Sequence, residues 1–330
     1  MRTKRLEWID IARCLCIVLV VFGHYVAPTT TPMWYSEAKD CVYSFHMPLF
    51  MLLSGFTYAV TNKKNIPYVH FIKKKALRLL LPYFSTSLVV IFIKVMTQQF
   101  LYVKNPIGYA EVVEILYYPS VCYCLWFIWV LFIFFLIIPL FKTALSRVFL
   151  FGASIVLYFI PNFLPEVFCL NHVQRMLVYF VLGILLYDYR EVLSCFKRIP
   201  IQVLIFLSMC IFGISYHARH LMDLSLLTAL AGTAMFCLFS IGISRTNTAF
   251  KRQILNVSSS SFVVYLLHTI VIGLGVVFLK HPIISSMKGD FVQVLSIFGI
   301  TFIAFVVPIL VDRLVLSKNK YLAFLFGTSL

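Results

Sequence analysis

Apolar residues in this chain come in long runs rather than in alternation. The runs cover residues 11–27, 45–60, 77–96, 123–141, 148–164, 174–188, 200–216, 222–243, 260–279 and 292–312. Each has the length of a helix built for hydrocarbon, because a bilayer core about 30 Å thick takes about 20 helical residues. Only a helix or a closed barrel satisfies its own backbone there. The pattern predicts an all-α polytopic membrane bundle of about ten helices. It adds no soluble segment, so residues 1–330 read as one transmembrane domain.

The first run breaks its own rule. "RLEWIDIARCLCIVLVVFGHY" (Arg5–Tyr25) carries Asp10, Arg13 and His24, groups that are costly in lipid. At about 100° per residue, the eleven steps from Arg13 to His24 leave an offset of about 20°. Asp10 and Arg13 are i,i+3 neighbours. All three share one stripe, which must face a cavity, a partner charge or water. Arg13 and His24 are about 16 Å apart along the axis, so they cannot act on one atom, and Asp10 cannot orient the imidazole. The stripe reads as a slot with a cation at one end and a titratable base at the other, or as an Asp–Arg brace beside a satisfied histidine. Glu7, Asp10 and Arg13 interrupt any signal-peptide lead-in, and Ala27 precedes Pro28 rather than a small-x-small site, so the run reads as an uncleaved anchor.

Composition agrees with a membrane class: 62% of residues are hydrophobic, 12% are charged, and mean hydropathy is +0.95. The net charge of +16 would suggest nucleic acid if it were spread over one face. Its distribution excludes that partner. With the N-terminus in the cytoplasm, 19 of the 28 Lys and Arg fall in inner segments and 5 in outer ones. This is the positive-inside pattern, with both termini cytoplasmic. The nine cysteines show no metal-ligand spacing and read mainly as small buried hydrophobes. Cys41, Cys122, Cys124 and Cys169 fall towards the outer side, where an oxidising compartment would permit disulfides. No metal is expected.

Further polar residues admit both a functional and a structural reading. His46 starts the second run near the depth of His24, to contact a ligand or share protons with His24, or to end at the interface beside Pro48. Ser54-Gly55 offers a small surface for helix packing. Trp126 could stack on a sugar or belong to an interfacial belt. Arg175 could bind a phosphate or uronate, or snorkel. His268, in mid-run, is a core polar group or a partner of the site. The outer segment 97–122 either caps a cavity or connects two spans.

Taken together, Arg13-x10-His24 behind Asp10, "FHMPLFMLLSGF" (Phe45–Phe56) and "KKKALRLLLPY" (Lys73–Tyr83) resemble the signature stretches of the acyltransferase-3 family of membrane O-acyltransferases, in particular its fucose-4-O-acetylase-like branch. "LWFIWVLF" (Leu125–Phe132), "YFVLGILL" (Tyr179–Leu186) and "SSFVVYLLH" (Ser260–His268) resemble later family blocks, so that the likeness covers about residues 5–315. Lys73, Lys74 and Lys75 stand where many members carry Arg, which keeps the charge and loses a bidentate fork.

The resemblance implies transfer of an acyl group, usually acetyl, from cytoplasmic acyl-CoA to a sugar hydroxyl of a cell-envelope or exported glycan or lipid-linked sugar. The expected setting is a bacterial inner membrane. Acetyl-CoA is then a donor substrate, with Arg13, Arg78, Lys73, Lys74 and Lys75 on the side that suits its phosphates. His24 would be a general base or an acyl carrier, and the sequence leaves both open. Succinyl transfer stays open as well. The rival class is a transporter or flippase of a lipid-linked glycan, with the buried ionisable groups lining its path.

Overall fold

The computed structural model describes residues 6–27, 31–61, 66–98, 106–161, 163–192, 198–279 and 289–328. The described residues are helical with turns between, and none of them is in a strand. Each of the ten apolar runs lies on a helix: α1 (Glu7–Gly23), α3 (His46–Thr61), α4 (Tyr68–Thr97), α6 (Trp126–Ile137), α7 (Ala144–Phe159), α8 (Leu170–Asp188), α9 (Ile201–Ala218), α10 (Ser225–Ser244), α12 (Ser261–Leu279) and α13 (Asp290–Leu314). Seven of the described helical segments are long and apolar enough to cross a membrane, while α1, α3 and α7 are shorter, with 17, 16 and 16 residues. Shorter helices join them: α2 (Met33–Tyr43), α5 (Tyr109–Glu114), α11 (Ala249–Ser258) and α14 (Lys320–Leu325).

The outside of the bundle is apolar. Phe92 on α4 and Ile214 on α9 are 65% and 71% exposed, and Phe302 on α13 is 67% exposed. Side chains of this kind are turned outward in numbers only where the surroundings are lipid. The protein is therefore a multi-pass membrane protein. Several charges that bear on the inner count, among them Arg2, Lys4, Arg5, Lys63, Lys64 and Lys197, lie outside the described residues, as do the outer Lys104, Lys280 and Lys288.

Helix α4 has 30 residues, about 45 Å at 1.5 Å per residue, which exceeds a hydrocarbon core. Its first two turns, with Lys73–Lys75, therefore project past the apolar zone. A large core forms where α8 is enclosed by α3, α6 and α7, around Tyr179, Phe180, Phe134 and Ile128. The closest crossing there is between α3 and α8. A methyl group at Gly55 would overlap the carbonyl oxygen of Phe180, and one at Gly183 would overlap that of Leu52. Two glycines, one on each helix, let the backbones touch.

Helix α1 runs through a second core, in contact with α3, α10, α11, α12 and α13. It stops at Gly23, earlier than the apolar run does. Helix α2, which hydropathy missed because its mean is near neutral, folds back over that end. Tyr35 donates to the carbonyls of Phe22 and Tyr25 at 2.7 and 3.2 Å, and Tyr43 donates to that of Gly23 at 2.7 Å. The last carbonyls of a helix have no partner in their own helix, and α2 supplies partners to these. Gly23 is required, because a Cβ there would run into the Tyr43 ring. At the other end of α1, Lys251 of α11 pairs with Glu7 at 2.7 Å.

The crossing makes a prediction. Gly55→Val and Gly183→Val should each lower stability by about 1–3 kcal/mol or more, the scale of overpacking. Gly213→Ala, whose added Cβ meets nothing within 4 Å, should have little effect. Thermal unfolding in one detergent checks all three, and equal melting temperatures would refute the contact.

Candidate active site

The charged stripe of α1 opens into one large cavity of about 2190 Å³. Drug-sized pockets run to about 1,000 Å³, so this space suits a long or composite ligand. Arg13 and His24 both line it. So do Lys74, Lys75 and Arg78 from α4, His46, Ser54 and Thr57 from α3, Trp126 from α6 and Arg175 from α8. Lys73 is exposed and Asp10 lies behind the wall, and neither is among the lining residues. His268 is fully buried next to the cavity rather than in its lining.

At the basic end, Arg13 is held across the helix interface. Its Nη2 donates to Thr57 Oγ1 at 2.8 Å, and that hydroxyl donates to the Leu53 carbonyl at 2.7 Å. Asp10 and Arg78 are within electrostatic reach of the guanidinium. Lys75 lies over the Phe135 ring, with Nζ 4.0 Å from that centroid and 5.4 Å from that of Phe71. Cation–π contact fixes the ammonium without neutralising it. Among the described lining residues the acid is Asp223, which sits near Arg175 at the other mouth. The basic end is thus a cluster of positive groups without a carboxylate in its wall.

His24 caps α1. Its Nδ1 is 2.8 Å from the Val20 carbonyl, one turn back on the same helix. A carbonyl only accepts, so in the neutral ring the hydrogen is on Nδ1 and Nε2 carries the lone pair. His46 repeats the arrangement, with Nδ1 2.9 Å from Val42 O. The Tyr43 ring lies near both imidazoles, its centroid 6.1 Å from that of His24 and 4.9 Å from that of His46. His268 stands edge to face against His24, with centroids 5.0 Å apart at 84°.

Towards the other mouth, Trp126 stacks on His172 with centroids 4.1 Å apart, and Tyr123 shares a 2.7 Å hydrogen bond with the His172 Nε2. Trp126 therefore belongs to the cavity wall rather than to a belt facing lipid. Residues 121–124, the end of the long outer segment, also line the cavity, whereas the described Tyr109, Glu111, Glu114, Tyr117 and Tyr118 do not. Cys122 and Cys124 are free thiols, 3.0 Å apart at sulfur and both near Thr269 Oγ1, and Cys41 and Cys169 are free as well. No metal-holding group of His, Cys, Asp or Glu occurs among the described residues.

Sequence reasoning brought Arg13, His24, His46 and the α4 basic run to this region. It missed Thr57, Tyr43 and His172. Thr57 follows directly after Ser54-Gly55-Phe56, and Tyr43 sits one turn before His46, but each partner lies on a different helix, so spacing along one helix could not reveal the pairings.

Comparison with known proteins gives a family. A family model described as an acyltransferase domain (acyltransferase-3) matches residues 6–313. Nodulation protein NolL of Mesorhizobium japonicum is 34% identical over 79 residues, a segment that covers 22% of this chain and 20% of that protein. No solved structure matches.

If Thr57 anchors Arg13, then Thr57→Val should cost about 1–3 kcal/mol by leaving a buried donor unpaired. Thr57→Ser, which keeps the hydroxyl, should recover most of it. Denaturation in detergent measures both, and a Val variant as stable as the Ser variant would remove the anchor.

Proposed function

The chain belongs to the acyltransferase-3 family, and from that membership together with the cavity we propose that it moves an acetyl group from acetyl-CoA on the cytoplasmic side to a sugar hydroxyl of an envelope or exported glycan. The protein would sit in a bacterial inner membrane. One observation carries the reading: the bare Nε2 of His24 faces a cavity whose other end is lined by Arg13, Lys74, Lys75 and Arg78. A phosphate-rich donor with its thioester at the end of a long thin arm fits that polarity. The basic cluster takes the phosphates, and the arm runs along the α1 stripe to the imidazole.

In this reading, His24 Nε2 removes the proton of the acceptor hydroxyl. The oxygen bonds to the acyl carbon, the carbon–sulfur bond breaks, and CoA leaves as a thiolate that takes the proton from His24. Proton transfer of this kind contributes about 10²–10⁴-fold. If the ring attacks the thioester first and carries the acyl group, the same lone pair is used. The Val20 carbonyl serves either route, because it fixes the hydrogen on the other nitrogen. His46 and Tyr43 shape the space beside the imidazole, and Trp126 and Arg175 offer an aromatic plane and a cation to an acceptor at the far mouth.

His24→Ala should accumulate and fold as the wild type does and lose acetyl transfer by at least about 10²-fold. Unchanged turnover at wild-type protein levels would remove His24 from the chemistry. Arg13→Lys keeps the charge and loses the planar fork, so acetyl-CoA affinity should fall roughly tenfold or more, with stability little changed. Asp10→Asn with Arg13→Gln removes both charges together. That double variant should fold and still bind acetyl-CoA poorly, and wild-type binding in it would exclude Arg13 as a donor contact.

A further inference from the structure

His268 has no role in the steps above, and its surroundings are unusual. It lies in the middle of α12 with 0% of its surface exposed. Its Nδ1 is 2.8 Å from the Tyr265 carbonyl and 3.0 Å from the Val264 carbonyl. Two acceptors at one nitrogen put the hydrogen there in the neutral ring, so Nε2 carries a lone pair. That Nε2 is buried and has no hydrogen-bond partner. Buried polar atoms are nearly always satisfied, and an exception calls for an explanation.

The explanation we propose is that His268 is a positioning residue for His24, its lone pair stabilising the imidazolium that His24 forms between taking the acceptor's proton and giving it to the departing thiolate. This rests on the reading of His24 as the base. The two rings are in contact, edge to face, at 5.0 Å. Both have their hydrogen drawn to the backbone, by Val20 for one and by Val264 and Tyr265 for the other. Neither Nε2 has a hydrogen to offer the other. The resting pair makes no hydrogen bond, and the reaction puts a positive charge on one of its two rings. Once His24 becomes an imidazolium, the lone pair of His268 faces a cation in place of a neutral ring. In an apolar bundle, where water is excluded and charges interact strongly, a polar group that gains its partner only during the reaction lowers the barrier without tightening substrate binding.

A packing role alone would behave differently. His268 is enclosed, so any substitution tests packing, and the variants must separate shape from lone pair. His268→Phe fills the space and removes the acceptor. His268→Gln supplies an acceptor that does not titrate. The Tyr265 hydroxyl, which donates to the Cys124 carbonyl at 2.8 Å, ties α12 to the cavity wall independently of the imidazole.

The assay is release of labelled acetate from acetyl-CoA by the full chain in detergent, with water as the probe acceptor, run beside thermal unfolding. His268→Phe is expected to fold with an unchanged melting temperature and an acetyl-CoA KM within about twofold of wild type, while kcat falls about 10²-fold. His268→Gln should recover about tenfold of that loss. In a His24→Ala background, adding His268→Phe should cost nothing more, because its effect runs through His24. Full activity in His268→Phe with His24→Ala inactive would overturn the proposal and leave the proposed function standing. So would a further multiplicative loss in the double variant, or equal losses in Phe and Gln variants that both unfold early. An active His24→Ala protein, or a wild type that releases no acetate, would overturn the proposed function and this inference with it.

Discussion

Everything around the site follows from placing a polar stripe on a helix that lipid would otherwise surround. Arg13 and His24 cannot face hydrocarbon, so α1 is enclosed by other helices, and four of these neighbours meet one polar group each. Thr57 of α3 takes the guanidinium, Lys251 of α11 takes Glu7, Tyr43 of α2 takes the Gly23 carbonyl, and His268 of α12 stands against His24. An unsatisfied buried donor or acceptor costs about 1–3 kcal/mol, so these contacts govern where the neighbouring helices sit.

The early end of α1 shows the same constraint at the scale of one turn. The apolar run continues to residue 27. The chain instead stops at Gly23, and α2 caps the exposed carbonyls with two tyrosines. The absence of a Cβ at Gly23 lets Tyr43 come close, and the Tyr43 ring then lies near both His24 and His46. A backbone requirement therefore brings one aromatic ring to two imidazoles.

The helical, membrane-spanning class was legible because hydrocarbon imposes a length and a composition on whatever crosses it, and seven of the described helical segments meet both. The stripe was legible because 3.6-residue geometry acts within one helix. What the sequence could not give were relations between helices. Ser54-Gly55 suggested close packing, yet the partner, Gly183, lies 128 residues further on in the chain. Helix α2 was hidden because its buried residues are only Tyr35 and Val42, seven apart on one face, and not an apolar run. The turn into α8 was hidden as well. Phe168 and Cys169 both adopt positive φ, 53° and 58°, where Gly or Asn would have signalled the bend. Tertiary contact holds them there: Phe168 N–H donates to the Tyr117 carbonyl at 2.8 Å, and its ring packs on Trp129.

The three imidazoles near the end of α1 share a device that bears on function more directly than their proximity does. In His24, His46 and His268, Nδ1 is turned to a carbonyl four residues back in the chain. On a helix this is the cheapest way to fix a tautomer, since the acceptor is already in place and needs no second side chain. It leaves Nε2 bare at all three positions. A transporter path for a charged solute gains from donors and acceptors in alternation, so that the solute is passed on. A wall that offers lone pairs beside a cluster of cations offers instead one place to hold an anion and another to receive a proton. These are the two demands of acyl transfer from a phosphate-rich thioester. The grouping of Arg13, Lys74, Lys75 and Arg78 in the wall of a cavity that His24 and His46 also line is the property that a family resemblance alone would not supply.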